Sequence, residues 1–154
     1  MKDVYDDENA LIKDLKNDIR KVLSKEVLDK AKEIELRHID YDIFAFYTPQ
    51  IYERRRQNGI NDPDNIVGEI VEDMTLEIDN VTHFNDGYGT YNHGTGLADL
   101  INGGDSMTGF FYDYPGEFNQ PRPFIDNTIS EIEDTDQVDS ALDEGMKNLG
   151  YDVK

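Results

Sequence analysis

From Asp7 to about Arg37 the apolar residues Leu11, Ile12, Leu15, Ile19, Val22, Leu23, Leu28, Ala31 and Ile34 recur at three- and four-residue steps, with no Pro or Gly between them. That pattern predicts one long amphipathic helix. It extends through Ile39 to Phe46 and stops before Thr48-Pro49, because a residue ahead of proline is pushed out of helical geometry. Such a helix far exceeds the mean of about 11 residues, and one domain rarely covers the whole of so long a stripe. Part of the stripe is therefore expected to meet another subunit.

The next segment, TPQIYERRRQNGINDPDN, is polar and contains Gly59 and Pro63, which reads as an ordered loop or extended arm. Ile66 to Val71, followed by Met74, Leu76, Ile78 and Val81 around the acidic turn Glu72-Asp73, predicts a β-hairpin, with the alternation of Met74, Leu76 and Ile78 as its best evidence. Thr82 to Thr95 is a glycine-rich loop, and a short helix over Leu97 to Ile101 follows, stopping at Gly103-Gly104. Phe110 to Tyr114 is expected as a third strand. Pro123 to about Glu133 and Asp136 to Leu149 complete the chain as C-terminal helices, with Gly150 as a cap. The expected fold is α+β, with a long N-terminal helix, a small mainly antiparallel sheet and closing helices. As one domain with one core it divides into the helix (1–47), the arm (48–65), a β-rich part (66–118) and a helical C-terminal part (119–154).

Composition sharpens this picture. The chain has 154 residues, 37% of them apolar, with seven Phe and nine Tyr giving that lean fraction the bulk to build a core. There is no cysteine, so thiol catalysis, disulfides and thiolate zinc sites are excluded. No apolar run approaches the ~20 residues of a membrane span, and MKDVYDDENA is no signal peptide. A soluble protein made in a cytoplasm, with no membrane partner, is the expectation.

The net charge is −19, from 34 acids and 15 bases, and its distribution matters more than its size. Residues 1–37 carry ten acids and nine bases, with Asp14, Asp18, Lys21 and Lys25 at helical pairing distance. Residues 57–121 carry twelve acids and no Lys or Arg. Ordinary nucleic-acid binding needs a broad basic surface and is largely ruled out. The acidic stretch lines a surface that must not hold DNA, imitates DNA, or keeps the protein dispersed. Arg54-Arg55-Arg56 is the one concentrated positive charge. In an extended segment neighbouring side chains point to opposite sides, so at least two of the three can reach carboxylates, either on another copy or within the chain.

Chemistry is scarce. His83 and His93 flank Asp86, a metal-ligand set by type, but ten residues of loop between the histidines fix no geometry; loop hydrogen-bond anchors are the simpler reading. His38 lies near the helix end, where a cation is favoured. Asp62, Asp64 and Asn65 echo a calcium loop, but Pro63 and the missing later Gly and Glu break that pattern and make an Asx turn at Asp62 or Asn61 the expectation. No nucleophile elbow or phosphate-cradling motif is present. A protein without enzymatic activity, metal or cofactor is expected. Phe124 and Ile125 are candidate core anchors, aimed inward by Pro123 at the start of a helix.

Three strings carry a resemblance: YTPQIYERRRQNGINDPDNI from Tyr47 to Ile66, NHGTGLADLINGG from Asn92 to Gly104, and RPFIDNTI from Arg122 to Ile129. In this order they are similar to a family of small phage structural proteins, the neck (head-tail connector) and tail-completion components of long-tailed bacteriophages of Gram-positive hosts. The most distinctive piece combines Tyr47, Pro49, Tyr52, Arg54 and Arg55. Where a second glycine is usual after Gly59, this chain has Ile60. The resemblance implies an α+β subunit of a homo-oligomeric ring, hexamer or dodecamer, at the head-tail junction of the virion, assembled in the host cytoplasm. It implies neighbouring portal, adaptor, stopper or tail proteins, and DNA passing through the channel without specific binding. With it, Tyr47, Pro49, Tyr52, Arg54, Arg55 and Arg56 become the candidate subunit interface. A different class also fits the acidity: a DNA-mimic inhibitor of the anti-restriction type.

Overall fold

The computed structural model of the chain describes residues 7–45, 57–82, 96–103 and 120–153. Asp7 starts the first helix: its carboxylate accepts from the Ala10 amide at 2.8 Å, satisfying one of the unpaired N–H groups of the first turn. The helical chain then runs from Glu8 to Phe44 as α1 (Glu8–Val22), a π turn (Leu23–Val27), α2 (Leu28–His38) and a second π turn (Ile39–Phe44). The predicted long helix is present, and the π turns are what the expected three- and four-residue steps did not show. The buried residues Val22 and Val27 are five apart, which in an ideal α-helix puts them about 140° apart around the axis. An i→i+5 turn, seen in the Leu28 amide bonding the Leu23 carbonyl, returns them to one face.

The predicted hairpin forms as β1 (Ile66–Val71) and β2 (Thr75–Asn80), entered through a 3₁₀ turn at Pro63–Asn65. The bond from the Val81 amide to the Asn65 carbonyl, 2.8 Å, sets the register. It places Ile66 opposite Asn80, Gly68 opposite Ile78, Glu69 opposite Glu77 and Val71 opposite Thr75. Along β2 exposure alternates residue by residue, with Leu76, Ile78 and Asn80 on the inward side; Met74 stays exposed in the turn. Helix α3 (Leu97–Gly103) runs two residues past its predicted end. α4 (Phe124–Asp134) and α5 (Gln137–Asn148) lie where the C-terminal helices are expected. The predicted third strand over Phe110 to Tyr114 lies outside the described residues. The fold is α+β.

The chain divides into two compact units, Met1–Glu33 with Gly68–Ile78 and Ile132–Lys154, and Ile34–Val67 with Asp79–Glu131. The first unit is held by Val22, Val27 and Met146, with Leu15, Ile19, Leu76, Val138, Leu142 and Tyr151 packed around them. Here α5 approaches α1 so closely that a Cβ on Gly145 would fall 2.3 Å from Val22 Cγ1. The end of α5 is tied down by Gly150, whose φ of 91° is left-handed. That turn lets the Tyr151 amide reach Met146 O at 3.1 Å and the Gly150 amide reach Lys147 O at 2.9 Å, satisfying two terminal carbonyls. The Tyr151 hydroxyl continues to Asp18, 2.9 Å. The second unit is built on Ile39, Ile43, Ile60, Ala98 and Phe124, with Leu36, Phe44, Ile101 and Ile125 against them. Among the described residues most of the buried apolar side chains fall into these two clusters.

Candidate functional site

The candidate interface residues Tyr47, Pro49, Tyr52, Arg54, Arg55 and Arg56 lie outside the described residues, as do His83, Asp86 and His93. What the structure describes is the ground on both sides of the arginine segment. Before it, Ile43 is buried and Phe44 packs against the second unit's core; after it, Ile60 is buried in that same core at 6% exposure. The described chain thus leaves one apolar cluster at Phe44 and is back in it at Ile60. Ile60, where the resembling family more usually has glycine, contributes a core side chain.

The returning loop is fixed by polar groups. Asp62 accepts from the amides of Asp64 at 3.1 Å and Asn58 at 2.7 Å, which is the Asx turn expected from its sequence context. Asn65 Nδ2 donates to Gly59 O at 2.9 Å. Below the loop, Asn80 and Thr82 are buried at 6% and 1% exposure, and with them Glu35 at 7%. Asn80 Nδ2 donates to Glu35 Oε1 at 2.8 Å and to Ile60 O at 3.1 Å, while its Oδ1 accepts from the Thr82 hydroxyl at 2.6 Å. A buried carboxylate is tolerated only where donors meet it, so this knot constrains where residues 57–65 can lie.

A second polar cluster joins α4 to the end of α2. His38 Nδ1 is 3.0 Å from Asp42 Oδ2 and its Nε2 is 2.9 Å from Glu131 Oε2. Arg37 donates to the other Glu131 oxygen, and Asn127 Nδ2 to Asp42 at 2.9 Å. Next to it Phe124 is fully buried and Ile125 packs on the same core; the Ile125 amide donates to Asn102 Oδ1 at 2.9 Å. Sequence reading missed both polar clusters. The signals were present: His38 and Asp42 are an i,i+4 pair of complementary type, and Asn80 continues the inward alternation of Leu76 and Ile78.

In the first unit most of the paired charges lie on the surface, Asp18 being half-buried. Lys16 and Arg20 converge on Asp73 in the hairpin turn; Arg20 Nε also donates to Asp73 O at 2.8 Å, and Lys16, first, and Arg20 hold the Asp73 carboxyl below its ordinary range. Asp18 is likewise lowered, chiefly by the Lys21 hydrogen bond of 2.7 Å and then by Tyr151. Of the charges expected to pair along the helix, Asp18 and Lys21 do so, while Lys25 reaches Glu26 at 3.1 Å. Glu69 and Glu77 carry no such partner: they face one another across the hairpin on its exposed side.

Among the described residues no group of three or more His, Asp or Glu is arranged to hold a metal ion. No helix among them is long and apolar enough to cross a membrane. No curated protein and no solved structure matches the chain. The YomN family does, over residues 7–148, a span that takes in both units, both polar clusters and the arginine segment. The chain therefore belongs to the YomN family, a phage-derived family whose namesake comes from the Bacillus phage SPbeta region.

Proposed function

We propose that the protein is a non-enzymatic structural subunit of the phage particle, forming a homo-oligomeric ring at the head-tail junction around the channel that DNA traverses. One observation carries this reading. The chain's one run of adjacent arginines, Arg54 to Arg56, is followed by a stretch, 57–121, with twelve acids and no Lys or Arg, and the described residues on its two sides, Phe44 and Ile60, pack in one apolar core. A base cluster in an otherwise acidic chain suits contact with carboxylates of a neighbouring copy, because phosphates would be repelled by the surrounding acids. Rings are closed by such heterologous contacts. Membership of a phage-derived family and the exposed Leu11 and Ile12 on α1, 41% and 43% accessible, support it further.

The test is deletion of the gene in an inducible phage, with mass spectrometry of purified particles. The expected result is that particles contain the polypeptide and that its loss leaves heads and tails unjoined. Infectious particles lacking the chain would overturn the proposal. A DNA mimic would instead be absent from particles and would inhibit a DNA-binding enzyme as a monomer or dimer.

A further inference from the structure

Two like charges directly opposite across an antiparallel pair destabilise a sheet, and the side chains of such pairs stand only about 5 Å apart at Cβ. The hairpin register makes Glu69 and Glu77 such a pair, both exposed, with neither side chain engaged in a hydrogen bond or ion pair. Four residues further along, at the turn, the same hairpin handles a carboxylate differently: Asp73 is met by Lys16 and Arg20 from α1. Residues 57–121 contain no Lys or Arg that could relieve the opposed pair locally. A cation from outside that stretch would relieve the pair beyond what water does, and a guanidinium, with its planar fork of donors, spans two carboxylates at this separation where an ammonium does so less well.

We infer that the exposed face of the hairpin around Glu69, Thr75 and Glu77 is the docking surface for the arginine segment, Arg54 to Arg56, of a second copy of this chain. This rests on the ring reading above and names the other half of its interface. Charge complementarity selects the occupant: the described remainder of the chain offers Lys and Arg mostly as members of pairs with Asp or Glu on its own surface, whereas Arg54 to Arg56 is a concentrated surplus. The donor segment and the acceptor face are different parts of the subunit, so the contact can repeat head to tail, and such contacts close a ring where the rotation allows it.

The experiment replaces Glu69→Gln and Glu77→Gln together in the phage and measures incorporation by mass spectrometry of purified particles, alongside thermal unfolding of the purified full chain. The inference expects incorporation to fall at least ten-fold while the purified chain becomes no less stable, because the like-charge opposition is gone. A role confined to folding would lower both together. A second arm pairs Arg54→Glu, Arg55→Glu and Arg56→Glu in one chain with Glu69→Lys and Glu77→Lys in another: neither is incorporated alone, and co-expression restores incorporation. Wild-type incorporation of the Gln double variant, or no rescue by the reversed pair, overturns this inference and leaves the ring reading standing. Absence of the wild-type chain from particles overturns both.

Discussion

The two units solve the same problem with different materials. In the first, Val22, Val27 and Met146 bring helices together by apolar contact, closely enough that α5 carries glycine at the crossing, and no charged residue is buried among them. In the second, Glu35, Asn80 and Thr82 are buried beside the apolar cluster, and His38 joins two carboxylates. The difference teaches where each unit is vulnerable. An apolar contact loses in proportion to what is removed, but a buried hydrogen-bonded group stripped of its partner leaves the survivor unsatisfied.

The largest expected effect tests the apolar side of the second unit. Phe124→Ala removes the largest fully buried side chain among the described residues and should cost about 3 to 5 kcal/mol in chemical denaturation. A loss below about 1 kcal/mol would mean that this core is held by its polar groups. Asn80→Ala probes those directly, since it takes the Nδ2 donor from Glu35 and from the Ile60 carbonyl and the acceptor from Thr82. About 2 to 3 kcal/mol is expected, out of proportion to the few atoms removed. A cost under about 0.5 kcal/mol would erase the contrast between the units.

Gly145→Ala sharpens the comparison from the other side. Alanine is better than glycine in a helix by about 1 kcal/mol, so a neutral site would be stabilised. Here the new Cβ meets the branched Val22 side chain, whose rotamer is stiff, and the expected outcome is a net loss of about 1 kcal/mol. Adding Val22→Ala in the same chain should recover less-than-additive destabilisation. Two separate costs that simply sum would show that the helices do not touch there.

The smallest effect is in acid. The folded-state carboxyls of Asp18 and Asp73 lie below their ordinary range, so their contribution is present above about pH 4, the unfolded range, and is lost as pH falls through the lowered folded values. Tyr151→Phe removes one of the two hydrogen bonds lowering Asp18, and a urea midpoint series from pH 5 to 2 should show a shallower acid loss. An unchanged acid slope would remove Asp18 from that role. Both groups meet partners near the surface, which keeps the effect small.

Much of this was legible from the order of residues because the governing physics is local. Helical and strand periodicity, Asp62 as an Asx turn and Gly150 as a helix stop each depend on groups within about five positions of one another. The five-residue interval from Val22 to Val27 was equally visible, and its meaning was missed because an α-helical template absorbs one irregular step without complaint. The candidate site was legible as residue types only. That Arg54 to Arg56 stand out follows from charge counting; that their flanks return to one core does not.

What the sequence determined alone is therefore the α+β class, the element order, the separation of a charge-balanced helix from a base-free acidic stretch, and the absence of cysteine chemistry. What only the tertiary structure decided is which faces meet. Asn80 reaches Glu35 across 45 positions, His38 reaches Glu131 across 93 and Tyr151 reaches Asp18 across 133. Periodicity states that a side chain points inward, but the choice of partner is a global packing result, made by whichever arrangement buries the apolar stripes while leaving every buried donor and acceptor paired.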